Sequence, residues 1–232
     1  MKRLASYLTV VLLFTGCVSI PESIDEKYLV EQSASQHDIL AKIEKDIIEK
    51  NRSVKTSADT LEVKRKAPEF TEKELELLEK ENRLLQDQID LYTKYMDARN
   101  LELRKTRLAE NESYTKKKKT LNNLQNAEID LAAAELEVKQ ADLAVSVAEL
   151  EYEKSKIAAE YRDITEVAGP EEKKGFLAKI SGAEKKPDDK YGYNVYSEFL
   201  DKKKQELQKA RDKYADALKK YEETKKKSEI LN

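Results

Sequence analysis

Apolar residues recur at seven-residue intervals between Glu128 and Ile164, and this repeat limits what the chain can fold into. A seam, meaning a line of apolar residues at alternating spacings of three and four, holds two helices together in a left-handed coiled coil. This segment has two seams, and at about 100° per residue they lie on nearly opposite sides of a helix. The first contains Ile129, Ala133, Leu136, Leu143, Val147, Leu150, Ile157, Tyr161 and Ile164, and the second contains Leu131, Ala134, Val138, Ala141, Val145, Ala148, Tyr152 and Ala159. Such a helix is predicted to pack against at least two neighbours.

The composition favours the same fold class over an ordinary globular domain. Charged residues make up 39% of the chain, while there are only 5 glycines, 4 prolines and no tryptophan. Frequent Ala, Glu, Lys and Leu with helical periodicity is typical of coiled coils, and a disordered chain has no reason to keep its apolar residues at regular spacings. The prediction is an all-α, elongated coiled coil of long antiparallel helices with one irregular loop.

Glycine and proline divide the chain into few segments. We predict a tether and first helix over 17–67, a long coiled-coil region over 68–168, a Gly/Pro loop over 169–193, and a C-terminal helix over 194–232. The seam of the first helix contains Leu29, Ser33, Gln36, Leu40, Ile43, Ile47, Val54 and Leu61, after a capping box at Ser23 and Glu26. The seam of the C-terminal helix contains Leu200, Leu207, Ala210, Tyr214, Ala217, Tyr221 and Leu231. By folding back antiparallel, this last helix can supply one neighbour for the two-seam segment.

The middle region leaves two alternatives open. Thr71 with Glu74 forms a capping box, and Phe70 with Leu75 forms a hydrophobic staple, which together predict a helix start. The seam that follows contains Leu75, Leu78, Asn82, Leu85, Ile89, Tyr92, Met96, Arg99 and Leu103. A turn near 111–116 would then give a hairpin, because Glu110, Ser113, Lys117 and Thr120 would bury poorly at the continuing seam positions. The shared seven-residue phase on both sides of this gap favours one unbroken helix over 71–166.

The N-terminus has the layout of a bacterial export signal. Basic Lys2 and Arg3 precede an apolar stretch from Leu4 to Phe14, which is too short to span a bilayer. The stretch ends in Phe14-Thr15-Gly16-Cys17, which resembles the lipobox of bacterial lipoproteins in its looser spirochaete form. The resemblance implies that residues 1–16 are removed, that Cys17 carries acyl chains, and that the protein is anchored in the cell envelope. We expect the outer membrane, on its periplasmic side.

We predict that the chain is not an enzyme and that it has no cofactor, metal site or small-molecule substrate. His37 is the only histidine and lies in a polar stretch, where exposed helix surface is the simplest interpretation. Cys17 is the only cysteine, so acylation would leave no thiol for catalysis. There is no glycine-rich phosphate loop and no zinc-ligand spacing. A formal charge of −2 gives no general attraction for nucleic acid.

A cluster of tyrosines follows the predicted loop. Tyr191, Tyr193 and Tyr196 lie beside Gly192, and tyrosine-rich tips can act as contact surfaces for protein partners. The alternative, which we favour, is that these rings pack the loop against the helix ends.

Three functions fit these predictions. The first is a membrane-anchored lipoprotein with a scaffolding role, acting through self-association or contacts with other envelope proteins. The second is an accessory of an export assembly, since Ala132–Tyr161 resembles the α-helical hairpins of TolC-type channels and their periplasmic adaptors. The third is a surface adhesin, which would require the lipoprotein to face outward.

Overall fold

The chain folds into three α-helices in the computed structural model. The model describes Pro21, Ser23, Ile24, Leu29, residues 33–168 and residues 193–230, with the backbone alone for 161–168 and 193. The helices are α1 (Ala34–Lys94), α2 (Ala98–Ala168) and α3 (Tyr193–Ile230), and this part of the chain contains no strand. The all-α fold class is therefore confirmed. The predicted signal segment, Cys17 and most of the predicted loop lie outside the described residues.

Helix α1 begins at a capping box that the sequence contains but that we assigned elsewhere. The Ser33 amide donates to Gln36 Oε1 at 2.7 Å, and the Gln36 amide donates to Ser33 Oγ at 3.3 Å. This exchange satisfies amide groups that have no partner at a helix start. The first helix thus begins at Ala34. Of the box predicted at Ser23 and Glu26, Glu26 lies outside the described residues.

The predicted break between the first two helices, near Pro68, is wrong. Helix α1 runs through Pro68, and Thr71 lies inside the helix, with its hydroxyl oxygen 3.3 Å from the Ala67 carbonyl. Phe70 is 66% exposed and therefore does not act as a staple. The physical reason is a seam that continues across the proline in a single phase. Its buried and half-buried positions are Leu40, Ile43, Ile47, Lys50, Val54, Ser57, Leu61, Lys64, Pro68, Thr71, Leu75, Leu78, Asn82, Leu85, Ile89 and Tyr92.

The chain reverses at Tyr95–Asp97, so both predictions for 71–166 are wrong. The Asp97 amide donates to the Tyr92 carbonyl at 3.1 Å, and the Met96 amide donates to the Thr93 carbonyl at 3.3 Å. This is a Schellman motif, whose left-handed residue is usually glycine. Here that residue is Met96, with φ of 56°. The Asp97 carboxylate then caps α2 by accepting the Asn100 side-chain amide at 2.7 Å and the Asn100 backbone amide at 3.2 Å.

Replacing Met96 with glycine should raise the free energy of unfolding by about 1 kcal/mol, because the left-handed conformation costs a residue with a Cβ roughly that much. Met96 is 90% exposed, so little packing is lost. Urea unfolding followed by circular dichroism measures the change. Tyr95→Gly is the matched control, because Tyr95 has no positive φ, and this change should destabilise instead. A lower midpoint for Met96→Gly would contradict this account of the turn.

The described residues belong to two compact units, one comprising 1–44 and 147–202 and the other comprising 45–146 and 203–232. In the second unit α1 and α2 are antiparallel neighbours, as Thr71 with Gln125 and Lys64 with Glu128 illustrate. Helix α3 lies antiparallel to α2 in the same unit, through Lys213 with Glu137 at 2.5 Å and Lys220 with Asp130 at 2.6 Å. Residues of α2 around 128–140 therefore have a neighbour on two sides, as the two seams predicted.

The two seams of α2 face different helices. The positions that contact α1 include Lys118, Gln125, Lys139 and Ser146, which share one heptad phase. Ala127 and Ala134 are buried and, by helical periodicity, lie on the side of Asp130 and Glu137, which contact α3. The second seam thus belongs to the α3 side. The second seam and the seam from Leu75 to Leu103 have the same heptad phase by coincidence. This shared phase is the reason that one unbroken helix was predicted.

The polar stretch that suggested a turn near 111–116 also has a structural explanation. Lys213 of α3 pairs with Glu137 of α2, and Lys220 pairs with Asp130. A residue seven positions later on α3 therefore pairs with a residue seven positions earlier on α2. Continued to Ile230, the last residue of α3, this register reaches only residue 120 of α2. Glu110, Ser113 and Lys117 therefore lie beyond α3 and are exposed to water.

Candidate functional site

The residues singled out in the sequence lie in different surroundings. Cys17 and Tyr191 lie outside the described residues, and Tyr193 is the first residue of α3. Tyr196 is 0% exposed and packs in a cluster with Ile24 and Ala158, with Leu29 and Tyr152 at its edge. Tyr196 is therefore a core residue, and its ring is not exposed for contact with a partner. The contact hypothesis extends at most to Tyr191 and Tyr193.

His37 has the surroundings that the sequence suggested. Its side chain is 67% exposed, and Nδ1 lies 4.0 Å from the Asp38 carboxylate. Among the described residues no group of three His, Cys, Asp or Glu side chains is placed to hold a metal ion. A hollow of about 730 Å³ beside Glu102, Tyr114 and Lys117 is lined by residues of α2 alone, so it is an open helix surface. None of the described helices is long and apolar enough to cross a membrane.

Polar side chains recur at every seventh position along the α1 side of the α1–α2 contact. Lys50 Nζ donates to Ser146 Oγ at 2.7 Å, Lys139 Nζ donates to Ser57 Oγ at 2.6 Å, and Thr71 Oγ1 donates to Gln125 Oε1 at 2.9 Å. A step of seven forward on α1 corresponds to a step of seven back on α2, from Lys50 and Ser146 to Ser57 and Lys139. A polar residue inside a seam fixes the register of a coiled coil, because sliding by one heptad leaves it without its partner. These contacts therefore define the alignment of the hairpin.

The Lys50–Ser146 pair resembles a serine–lysine nucleophile but lacks the protonation state and the access that such a pair needs. Burial alone would lower the pKa of Lys50, but hydrogen bonds to Asp142 and Asp46 outweigh it and hold that pKa above its ordinary value. The hydrogen bond from Ser146, together with that from Lys50, holds the pKa of Asp46 below its usual range. Lys50 is therefore charged and cannot serve as a general base. Ser146 is 0% exposed, so a substrate cannot reach its hydroxyl.

The most unusual surface is a line of exposed apolar side chains on α1, which we call the outer stripe. Its members are Val63, Phe70, Leu77, Leu84 and Leu91, which are seven residues apart throughout and between 49% and 67% exposed. Exposed apolar residues are common when scattered, but these five recur on one face of the helix at a fixed spacing, which is not a scattered arrangement. In helical projection this phase lies well away from the seam that faces α2. The stripe extends for about 42 Å at 1.5 Å per residue.

Charged residues border the outer stripe on both sides. Three residues after its first three members lie Lys66, Lys73 and Lys80, and Asp87 follows on the same side. Four residues after its members lie Ala67, Glu74, Glu81 and Gln88. Glu74 accepts from Lys118 at 2.6 Å, and Glu81 accepts from Arg107 at 2.8 Å, both across the hairpin. Among the described residues, the ion pairs do not include Lys73 or Lys80. Around Phe70 and Leu77 the stripe therefore has a basic border and an acidic border.

The outer stripe is not among the features predicted from the sequence, although its signal is present there. One Val, one Phe and three Leu recur at intervals of seven residues in the sequence. Phe70 also fits a hydrophobic staple, and the leucines lie outside the predicted seam. The contact with α2 uses the seam that contains Leu75 and Leu78. Because that seam accounts for the packing of α1 against α2, the stripe stands out as a second apolar repeat on another side of the helix. The chain matches no protein-family model, no curated protein and no solved structure.

Proposed function

We propose that the protein is a membrane-anchored coiled-coil lipoprotein that acts as a scaffold in the cell envelope through protein contacts. The observation that carries the contact role is the outer stripe, five apolar side chains at heptad positions that α2 leaves exposed. Apolar side chains at seven-residue intervals stay on one face of a supercoiled helix, where a partner helix with the same repeat can cover them. The anchoring rests on the sequence alone, namely the basic start, the short apolar stretch and the lipobox ending in Cys17.

The interior of the hairpin supports a mechanical rather than a chemical role. The Lys50 ammonium and the Ser146 hydroxyl are hydrogen-bonded to each other, and Ser146 is buried where a substrate does not reach it. Two long helices held in one alignment present the side chains of their outer faces in a fixed arrangement, which is what a scaffold requires. On this proposal the anchor is the acylated Cys17 and the presented surface is the outer stripe.

Replacing Cys17 with serine tests the anchor. We expect cells that express the wild-type chain to incorporate labelled palmitate into it and to retain it in the membrane fraction. The Cys17→Ser chain should lose both, because the hydroxyl of serine does not take up the diacylglycerol. Ser19→Ala, two residues later, is the matched control and should retain both. Palmitate label or unchanged membrane retention in the Cys17→Ser chain would contradict the proposal.

The antiparallel α1–α2 hairpin favours one alternative, an accessory of an export assembly. The run Ala132–Tyr161 that resembles the hairpins of TolC-type channels and their adaptors lies in α2 of such a hairpin. Crosslinking in intact cells followed by identification of the captured proteins separates the two functions. Capture of an export channel or pump supports the alternative, whereas capture of other envelope proteins or of the same chain supports the scaffold.

A further inference from the structure

We infer that the outer stripe binds the outer stripe of a second copy of this chain, with the two α1 helices parallel. The inference rests on the proposed function, which it deepens by naming the partner. Only a helix that follows a seven-residue repeat can remain in contact along the whole stripe from Val63 to Leu91, because an ideal helix drifts about 20° per heptad. A second copy has the required repeat, with the same length.

The charged borders select the second copy and its orientation. A rotation of 180° about an axis parallel to the helices places the basic border of one chain opposite the acidic border of the other. Lys73 and Lys80 of one copy then face Glu74 and Glu81 of the other. Glu74 uses Oε2 and Glu81 uses Oε1 in the pairs within the hairpin, and an ionised carboxylate can accept at both oxygens. An antiparallel arrangement centred on Leu77 would place Lys73 opposite Lys80 and Glu74 opposite Glu81, which is unfavourable. Its one favourable border pair would be Lys66 with Asp87.

The size of the stripe predicts how strong this contact is. A strip about 42 Å long and roughly 10 Å wide covers about 400 Å² per chain, or about 800 Å² for the pair. Stable complexes bury about 1,200–2,000 Å² in total, so the dimer should be weak in dilute solution. Chains anchored in one membrane with the same orientation have a raised effective concentration, which favours a weak contact. Parallel helices are the arrangement that two anchors at the same end allow.

Disulfide trapping tests the contact and its direction. In the full chain with Cys17→Ser, single cysteines replace Phe70, Leu77 or Leu91. Dimer formation under mild oxidation is measured on non-reducing gels over rising protein concentration up to about 1 mM, the effective concentration that a shared anchor supplies. Parallel stripes bring each position next to its own copy, so all three variants should dimerise. Docking concentrates the thiols, and the yield should exceed that of Glu72→Cys by about tenfold. Glu72 is the matched control because it is exposed and lies on the opposite side of α1.

Two outcomes would overturn the inference. Dimerisation of Leu77→Cys alone, with Phe70→Cys pairing only with a Leu84→Cys chain, would show antiparallel stripes. Yields at all three positions equal to that of Glu72→Cys would show that the stripe does not bind a second copy of the chain. Circular dichroism must show the same helicity for every variant, which is expected because each position is exposed. Palmitate labelling of the wild-type chain is a separate measurement, so failure of self-association is distinguishable from failure of the anchor.

Discussion

Replacing Leu143 with alanine should lower the free energy of unfolding by about 3 kcal/mol, because a buried leucine loses its burial and leaves a cavity. Leu143 is 2% exposed and lies on α2 beside Asp142, which pairs with Lys50 of α1. The site cannot collapse easily, since Val145 and Ser146 on the same turn are buried as well. Urea unfolding followed by circular dichroism gives the change in free energy.

Leu77→Ala is the matched control for that measurement. The residue type and the substitution are the same, but Leu77 is 65% exposed on the outer stripe. Its loss should change the stability of the single chain by no more than about 0.5 kcal/mol. Equal effects of Leu143→Ala and Leu77→Ala would contradict the distinction between the packed seam and the exposed stripe, on which the proposed contact role depends.

Replacing Pro68 with alanine should raise the free energy of unfolding by about 2 kcal/mol. Inside a helix proline costs about 3 kcal/mol relative to alanine, because it lacks an amide hydrogen and its ring crowds the preceding turn. The Lys64 carbonyl has no amide to accept at position 68 in α1, and alanine would supply one. Pro68 is buried in the seam, so the lost ring carbons should offset about 1 kcal/mol of this gain.

The control for Pro68→Ala is Glu69→Ala, on the exposed side of the same turn. That change should remain within about 0.5 kcal/mol of the wild type. If Pro68→Ala destabilised the protein, the packing of the proline ring would have to outweigh the missing hydrogen bond, and the helix at 64–68 would be built differently from the arrangement described.

The sequence predicts the helices of this protein better than their ends. The seam from Leu200 to Tyr221 is buried or half-buried in α3, and the C-terminal helix folds back antiparallel on α2 as expected. These features could be predicted because helices in proteins owe most of their stability to packing of an apolar face, and the position of that face is visible in the residue spacing. The two seams of α2 likewise correspond to two neighbours.

The predictions of the helix ends were wrong because the local sequence signals contribute less to stability than the packing of the whole seam. Proline normally ends a helix, yet at Pro68 the seam keeps its phase, and burial on both sides outweighs the cost of one residue. The turn at Tyr95–Asp97 has no glycine, and Met96 occupies the left-handed position that a glycine usually fills. Asp97 and Asn100 were the only local indication of the new helix start. The shared phase across 103–131 reflected contact with a different helix.

The candidate site divides in the same way. The register contacts at Lys50, Ser57 and Thr71 look like weak, polar seam positions in the sequence, and only their partners on α2 show what they do. Packing was the favoured interpretation for the tyrosine cluster, and Tyr196 is buried, but the residues that cover it could not be predicted because they include Ile24, which lies far away along the chain.

Contacts between α1 and α2 pair residues at matching distances before and after the turn. This pairing limits which insertions and deletions the hairpin can accept. Removal of seven residues from α1 alone, between Ser57 and the turn, would bring Lys50 to the place where Ser57 now accepts from Lys139, so two ammonium groups would meet. Removal of seven residues from each helix would leave that meeting point unchanged. Insertions and deletions in this hairpin should therefore be tolerated in matched pairs, one on each side of Met96, and rejected singly.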